Sequence, residues 1–180
     1  MTRRILSVLA ALALTASVGS ANAGGPIPDD PMPGHDAPQS AAPDLALNFG
    51  NLPSGWTGHD IPHRGTRGAI VAIVNNAANI VIIAGSLDTH GKTPEQVAAV
   101  LVAKTPSTIR TTKPIQDQSG DWSFDYNGTS DGEPAQGTII LRTYKLDPDG
   151  IYLFQITTKA ASPATAKAQA FKICKGAKLE

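Results

Sequence analysis

The sequence predicts an α+β protein with a mostly antiparallel sheet and two helices. Short runs rich in Ile, Val, Thr and aromatic residues are bounded by Gly, Pro, Asn and Asp, which is typical of strands joined by turns. Two other stretches begin with a capping residue followed by proline, which is typical of helix starts. Because single helices interrupt runs of strands, we expect an antiparallel sheet rather than a parallel one.

The first 23 residues have the three-part build of a secretory signal peptide. Arg3 and Arg4 precede an apolar run at 5–18, and the sequence Ala-Asn-Ala at 21–23 supplies a small-x-small cleavage site. The apolar run is shorter than the roughly 20 residues that a spanning helix needs, so we expect no transmembrane anchor. The sequence therefore predicts cleavage near Ala23 and a mature protein that is periplasmic or secreted.

Residues 24–44 are predicted to form a proline-rich disordered linker. Six of its residues are proline, and almost none of the others is a large apolar residue. Such a segment cannot bury enough surface to offset the entropy lost on ordering. All nine aromatic residues lie between Phe49 and Phe171, so we place a single folded domain at 45–180.

The composition restricts the partners that the mature protein can have. The chain has 15 Lys+Arg and 15 Asp+Glu, and loss of the leader with Arg3 and Arg4 leaves a net charge of −2. This balance gives no general attraction to nucleic acid or to anionic lipid. The single cysteine, Cys174, excludes an intramolecular disulfide. We favour a small apolar residue on a buried helix face over a thiolate activated by Lys172, Lys175 and Lys178, because the negative end of the helix dipole disfavours a thiolate.

The first half of the domain is predicted to contain four strands and a helix. We expect a short strand at 45–49, then a turn at 52–55 that leads Trp56 into a second strand. The Ile/Val-rich runs 69–75 and 79–87 predict a hairpin whose strands are covered on both faces. In the helix that follows, Thr93 caps the start, Pro94 presets the first φ angle, Gln96 completes a capping box, and Pro106 ends the helix.

The second half is predicted to contain four strands and the last helix. The run 108–112 is one candidate strand, and alternating aromatic and polar residues at 122–127 indicate a half-buried one. Two longer strands at 138–146 and 151–158 are expected to be joined by a tight turn, Asp-Pro-Asp-Gly, at 147–150. The last helix is predicted to start with Ser162 as its cap and to run to about Lys175, with Gly176 as its stop.

This order of elements resembles the PsbP-like α/β/α sandwich, a family that includes the DcrB-type proteins of bacterial envelopes. The local matches are LPSGWTG (52–58), the paired strands after it, TPEQVAAVLVAK (93–104) and AFKICKGAK (170–178). The resemblance implies an envelope protein without enzymatic activity that acts through partners. It carries over no functional residue, because none of these strings is a specific motif.

The candidate metal ligands are His59, His63 and His90. The sequence HDIPH at 59–63 places two histidines and a carboxylate within five residues, and such ligands suit zinc or copper. Pro62 argues against presentation from a helix, so the ligands would converge from loops, with His90 contributed by a second loop. The alternative interpretation is a polar surface loop that binds no metal.

The sequence contains no recognisable catalytic motif. Ser86, Asp88 and His90 are the residue types of a hydrolase triad, but no G-x-S-x-G nucleophile elbow surrounds the serine. We therefore expect an exported, non-catalytic protein that binds an envelope protein or a small ligand, and a periplasmic metal-binding protein is the alternative. An enzyme whose residues meet only in the fold is a third interpretation.

Overall fold

The chain folds as an α+β protein with an antiparallel sheet, as the sequence predicts. The structure is a computed structural model that describes residues 45–61, 70–87, 89, 91–130 and 133–180. The predicted signal peptide and linker lie outside these residues. The described strands are β1 (Leu47–Asn48), β2 (Thr57–Ile61), β3 (Ile70–Asn75), β4 (Ile80–Leu87), β5 (Ile109–Thr111), β6 (Ile115–Gln116), β7 (Trp122–Ser130), β8 (Glu133–Tyr144), β9 (Asp147–Thr158) and β10 (Lys178–Leu179). The helices are α1 (Pro94–Lys104) and α2 (Ala164–Gly176).

The main sheet has eight strands, in the order β2-β3-β4-β9-β8-β7-β5, with β6 also paired to β7. The remaining strands, β1 and β10, pair with each other and so join the two ends of the domain. Every pairing among the described strands is antiparallel. No helix in the described part of the chain is long and apolar enough to cross a membrane.

One helix packs on each face of the main sheet. Alternate residues of each strand point to opposite faces, so each face contributes its own set of buried side chains. The face covered by α2, here called the α2 face, buries the core residues Ile73, Ile80, Ile82, Phe154 and Ile156. The opposite face, here called the α1 face, buries the core residues Phe124, Tyr126, Ile139, Leu141 and Leu153. The sheet is thus the middle layer between two separate hydrophobic clusters.

Local sequence signals explain the β3–β4 hairpin and the start of α1. In the hairpin turn, Asn75 Oδ1 accepts a hydrogen bond from Ala78 N at 3.0 Å. Asn79 adopts a φ of 52°, a left-handed conformation that asparagine tolerates better than most residues. At α1, Gln96 N donates to Thr93 Oγ1 at 3.3 Å and Thr93 N donates to Gln96 Oε1 at 3.0 Å. The predicted hairpin and the predicted capping box are both confirmed.

The predicted turn at 147–150 is wrong. Tyr144 pairs with Asp147, so the chain reverses at residues 145 and 146, and residues 147–150 belong to β9. Two contacts hold this stretch in the strand. Asp147 Oδ2 accepts a hydrogen bond from Tyr152 OH at 2.9 Å, and the Asp147 carboxylate occupies the space beside Gly150 that a Cβ atom would need.

The predicted cap of α2 is also wrong. The N-cap residue of α2 is Pro163, which makes no side-chain capping hydrogen bond. Ser162 Oγ instead accepts from Lys159 N at 3.0 Å and donates to Asn79 O at 3.4 Å. Ser162 therefore fixes the loop before α2 against the β3–β4 turn, and the helix begins one residue later.

Candidate functional site

The C-terminal end of α2 is fixed to the sheet by a buried ion pair. Arg142 on β8 and Asp121, just before β7, approach to 2.6 Å, with side chains only 12% and 7% exposed. Arg142 Nη1 also donates to Cys174 O in the last turn of α2 at 2.9 Å. The last carbonyls of a helix lack intrahelical donors and carry partial negative charge. The guanidinium therefore both neutralises Asp121 and caps α2.

A second hydrogen bond supports the same end of the helix. Tyr144 OH donates to Ala177 O at 3.1 Å, and Arg142 Nη1 lies 3.4 Å from the same hydroxyl. Burial opposes the charged form of Arg142, but its hydrogen bonds to Asp121 and Tyr144 outweigh that effect and raise its pKa above the ordinary value. The guanidinium of Arg142 therefore stays charged, and it holds α2 in position on the sheet.

Cys174 is buried within this region, as the sequence predicts. Burial raises the pKa of its thiol to about 12. Because the thiolate is the reactive form of cysteine, this side chain is a poor nucleophile near neutral pH. Cys174 thus belongs to the core that packs α2 against the sheet.

Beside α2 the structure has a groove of about 260 Å³, here called the α2 groove. It lies on the α2 face, between the helix and strands β7 and β8. The helix packs mainly on β4 and β9, so it leaves Asp125 and Asn127 of β7 exposed. The lining residues are Asp125, Tyr126, Asn127, Gln136, Gly137, Thr138, Ile156, Thr158, Lys167 and Phe171.

The floor of the α2 groove is polar. Trp122, Phe124 and Tyr126 of β7 point to the α1 face, so the alternating residues Asp125 and Asn127 point into the groove. Strand register places Thr138 opposite Asp125 and Gln136 opposite Asn127. These four side chains form two cross-strand polar pairs, one beside the other.

Some of these floor groups bond to each other and some do not. Thr138 Oγ1 donates to Asp125 Oδ1 at 2.6 Å, and Gln136 Nε2 lies 3.5 Å from Thr158 Oγ1. The side chains of Asn127 and Lys167 make no hydrogen bond or ion pair to any other residue that the structure describes. The groove therefore offers an amide and an ammonium group that remain available to a ligand.

The wall of the α2 groove is formed by Lys167 and Phe171, which lie one helical turn apart. Phe171 is 37% exposed, whereas the neighbouring Ala170 and Ile173 are buried in the core. An exposed aromatic ring beside a polar floor gives the groove one apolar contact surface.

The structure tests the predicted metal site only in part. His59 is exposed on β2, so the prediction of a loop is wrong for residues 59–61. His59 and Asp60 are neighbours in a strand and point to opposite faces, so Asp60 does not assist His59 in binding one ion. His63 and His90 lie outside the described residues. Within the described ranges no three His, Cys, Asp or Glu side chains are close enough to hold a metal ion.

The structure also gives the positions of Trp56, Ser86 and Lys175. Trp56 is buried in the core, and its Nε1 donates to Gln169 Oε1 at 3.1 Å. Ser86 lies on β4, and the two remaining residues of the supposed triad, 88 and 90, lie outside the described chain. Lys175 on α2 approaches Asp117 at 3.7 Å on the surface.

Sequence reasoning did not find the α2 groove. It predicted the alternation along β7 and the last helix, but it had no means of bringing them together. The pairing of Asn127 with Gln136 depends on strand register. The approach of Lys167 and Phe171 to that pair depends on how α2 packs. Neither is encoded in a local pattern.

Comparison with known proteins identifies no family. No sequence-family model and no curated protein matches the chain. Among solved structures, PA94 of Pseudomonas aeruginosa, a protein of unknown function, has 14% identity and a TM-score of 0.42 over 67% of this chain and 79% of its own. LpqN of Mycobacterium tuberculosis, involved in cell envelope biogenesis, has 9% identity and a TM-score of 0.41 over 78% of this chain and 87% of its own.

These scores indicate neither a shared function nor a shared ligand. The resemblance to PsbP-like and DcrB-type proteins stays a prediction, because no family model bears it out.

Proposed function

We propose that the protein is an exported, non-catalytic binding module that holds a small polar ligand in the α2 groove. The observation that carries this proposal is the set of groups at the groove surface. The side chains of Asn127 and Lys167 have no partner among the described residues, and Phe171 beside them is 37% exposed. Concave sites with a few convergent polar groups and an apolar surface are typical of ligand binding.

The chemistry of the groove favours binding over catalysis. Its described lining contains no serine, cysteine or histidine. The protein's cysteine is buried beneath α2 with a pKa of about 12, so it supplies no thiolate near neutral pH. Export is supported by the leader pattern at 1–23, and the proline-rich stretch at 24–44 would act as a spacer between the cleavage point and the domain.

The two polar pairs of the floor are held by a rigid frame. Asp125 and Asn127 lie in a strand that is paired on both sides, to β8 and to β5 or β6. The opposite wall is set by the buried ion pair that caps α2. Because binding costs less when the protein groups are already ordered, such a frame suits a site that is formed before the ligand arrives.

A thermal-shift screen of small polar compounds tests this function. A ligand that binds only the folded protein raises its melting temperature by mass action. We expect compounds that stabilise the mature wild-type protein to lose that effect in Phe171→Ala. The matched control is Leu146→Ala, which removes an equally apolar side chain that is 65% exposed in the β8–β9 turn. If active compounds stabilise both variants equally, or if none stabilises the wild type, the α2 groove is not the site.

A further inference from the structure

We infer that the ligand of the α2 groove is a neutral saccharide of one or two sugar rings. This inference rests on the proposed function, because it names the chemical class for the same site. It follows from the charge of the groove, the kinds of polar group on its floor, the exposed ring on its wall, and its size.

The groove lining carries balanced charge. Asp125 supplies one carboxylate and Lys167 one ammonium group, and the other described lining residues are uncharged. A phosphate or sulfate group would be attracted by the ammonium but repelled by the carboxylate, and a cationic ligand would meet the reverse. Complementarity of charge therefore favours a ligand without net charge.

The polar groups of the floor match a ligand rich in hydroxyl groups. A sugar hydroxyl both donates and accepts hydrogen bonds, and so do the side chains of Asn127, Gln136 and Thr138. Asp125 adds acceptors and Lys167 adds donors. A ligand that was only a donor or only an acceptor would leave part of this set unpaired when it was buried, which is costly.

The spacing of the floor groups also suits a sugar ring. Side chains directly opposite each other on two antiparallel strands lie about 5 Å apart, and those two residues apart along one strand lie about 7 Å apart. The pairs Asp125–Thr138 and Asn127–Gln136 therefore mark the corners of a small polar rectangle. A ring that carries several hydroxyl groups can therefore bond to more than one of these corners at once.

The wall and the volume complete the match. One face of a sugar ring exposes C–H groups, and the partly exposed Phe171 offers an apolar surface against which they can pack. The volume of about 260 Å³ lies just below the range of roughly 300–1,000 Å³ that is usual for drug-sized ligands. It therefore accommodates one or two sugar rings rather than a longer chain.

A peptide fits the same groove less well. An extended peptide binds to a sheet chiefly by adding a strand to a free edge, where main-chain groups supply the affinity. The floor strand β7 is paired with β8 on one side and with β5 and β6 on the other. Its main-chain groups are thus occupied, and a ligand of the groove must be recognised by side chains.

The test is a titration of the uniformly ¹⁵N-labelled mature protein, followed by amide NMR spectra. The probes are a panel of neutral mono- and disaccharides, inorganic phosphate, and a short uncharged peptide. We expect at least one saccharide to bind with a dissociation constant on the order of millimolar or tighter, and to shift amide signals of β7, β8 and α2. Phosphate and the peptide are expected to leave these signals unchanged.

Substitutions in the wall and the floor of the α2 groove test whether a saccharide binds specifically at that site. Phe171→Ala is expected to weaken saccharide binding at least 10-fold, and Asn127→Ala at least 5-fold. Phe171→Tyr keeps the ring and is expected to keep the affinity, and Leu146→Ala serves as the surface control. Equal affinity in the wild type, Phe171→Ala and Asn127→Ala would overturn the inference.

The panel also distinguishes failure of the inference from failure of the proposed function. If phosphate or the peptide shifts the groove signals and no saccharide does, the inference is overturned and the binding function stands. If no probe and no compound of the thermal-shift screen affects the groove, both are overturned.

Discussion

Replacing Arg142 by Met tests the claim that a buried charge holds α2 on the sheet. The substitution keeps an unbranched apolar side chain and removes the guanidinium. Asp121, which is 7% exposed, then loses its counter-charge, and Cys174 O at the end of α2 keeps only the hydrogen bond from Ala177 N. One buried carboxylate is therefore left without its partner, and one carbonyl of the helix end loses one of its two donors.

The expected loss follows from these contacts. Breaking a buried ion pair by removing one partner costs about 3–5 kcal/mol, because the remaining charge is buried and uncompensated. That is a large share of the roughly 5–15 kcal/mol by which natural domains are stable. For a domain of this size it corresponds to a fall in melting temperature of roughly 10–15 °C.

Urea unfolding, followed by far-ultraviolet circular dichroism, measures this loss. We expect the midpoint to fall and the slope to stay the same, since the surface exposed on unfolding hardly changes. The matched control is Lys175→Met, which breaks the pair with Asp117 at 3.7 Å, whose side chains are 62% and 35% exposed. Surface pairs contribute only about 0–1 kcal/mol, so this control should stay close to the wild type.

A double variant shows whether the cost comes from the stranded charge. Arg142→Met combined with Asp121→Leu replaces the whole buried pair by apolar groups, which is often neutral or stabilising. We expect the double variant to recover much of the stability that the single variant loses. A single variant that loses less than about 1 kcal/mol would refute the reasoning.

Three further predictions concern the core, the sheet and the metal hypothesis. Cys174 should react with a thiol reagent at pH 8 about 1,000-fold more slowly in the folded protein than in the unfolded one, given its raised pKa of about 12. The stability that its protonated thiol contributes is complete below the unfolded pKa and is lost as pH rises toward the folded value, so unfolding measured between pH 8 and 11 should show a decline that is smaller in Cys174→Ala. Some decline should remain in that variant, because burial also raises the pKa values of Tyr126 and Tyr144. Gly137→Ala should destabilise the protein by about 2–4 kcal/mol in urea unfolding, because a Cβ there would collide with Ile156 O; a loss below 0.5 kcal/mol would contradict the tight approach. If His59 and His63 bind zinc or copper, either ion should raise the melting temperature of the wild type but not of His63→Ala, and an unchanged wild type would remove the metal hypothesis.

The parts of the fold that the sequence predicted correctly depend on neighbours in the chain. The capping box of Thr93 and Gln96 and the turn from Asn75 to Asn79 are each closed by residues three or four positions apart. Contacts of this kind depend only on residues close together in the sequence, so they can be predicted without the tertiary structure.

The errors occurred where a distant or less common contact decides the structure. Asp-Pro-Asp-Gly at 147–150 is typical of a turn, but the hydrogen bond from Tyr152 to Asp147 and the pairing with β8 place it in a strand. His59 lies in β2, whose residues do not alternate between buried and exposed positions. The strand forms because it pairs with β3, and that pairing cannot be read from the local sequence. The α2 groove depends on both strand register and helix packing, so only the folded structure revealed it.

The most direct test of the central claim is to map where a bound ligand lies. A compound that stabilises the mature protein would be titrated into the ¹⁵N-labelled chain, and the shifted amide signals would be assigned. Binding in the α2 groove predicts shifts concentrated at residues 125–127, 136–138 and 167–171, and it predicts that Phe171→Ala reduces them at the same ligand concentration. Shifts confined to β2 or to the α1 face, or shifts of undiminished size in Phe171→Ala, would contradict it.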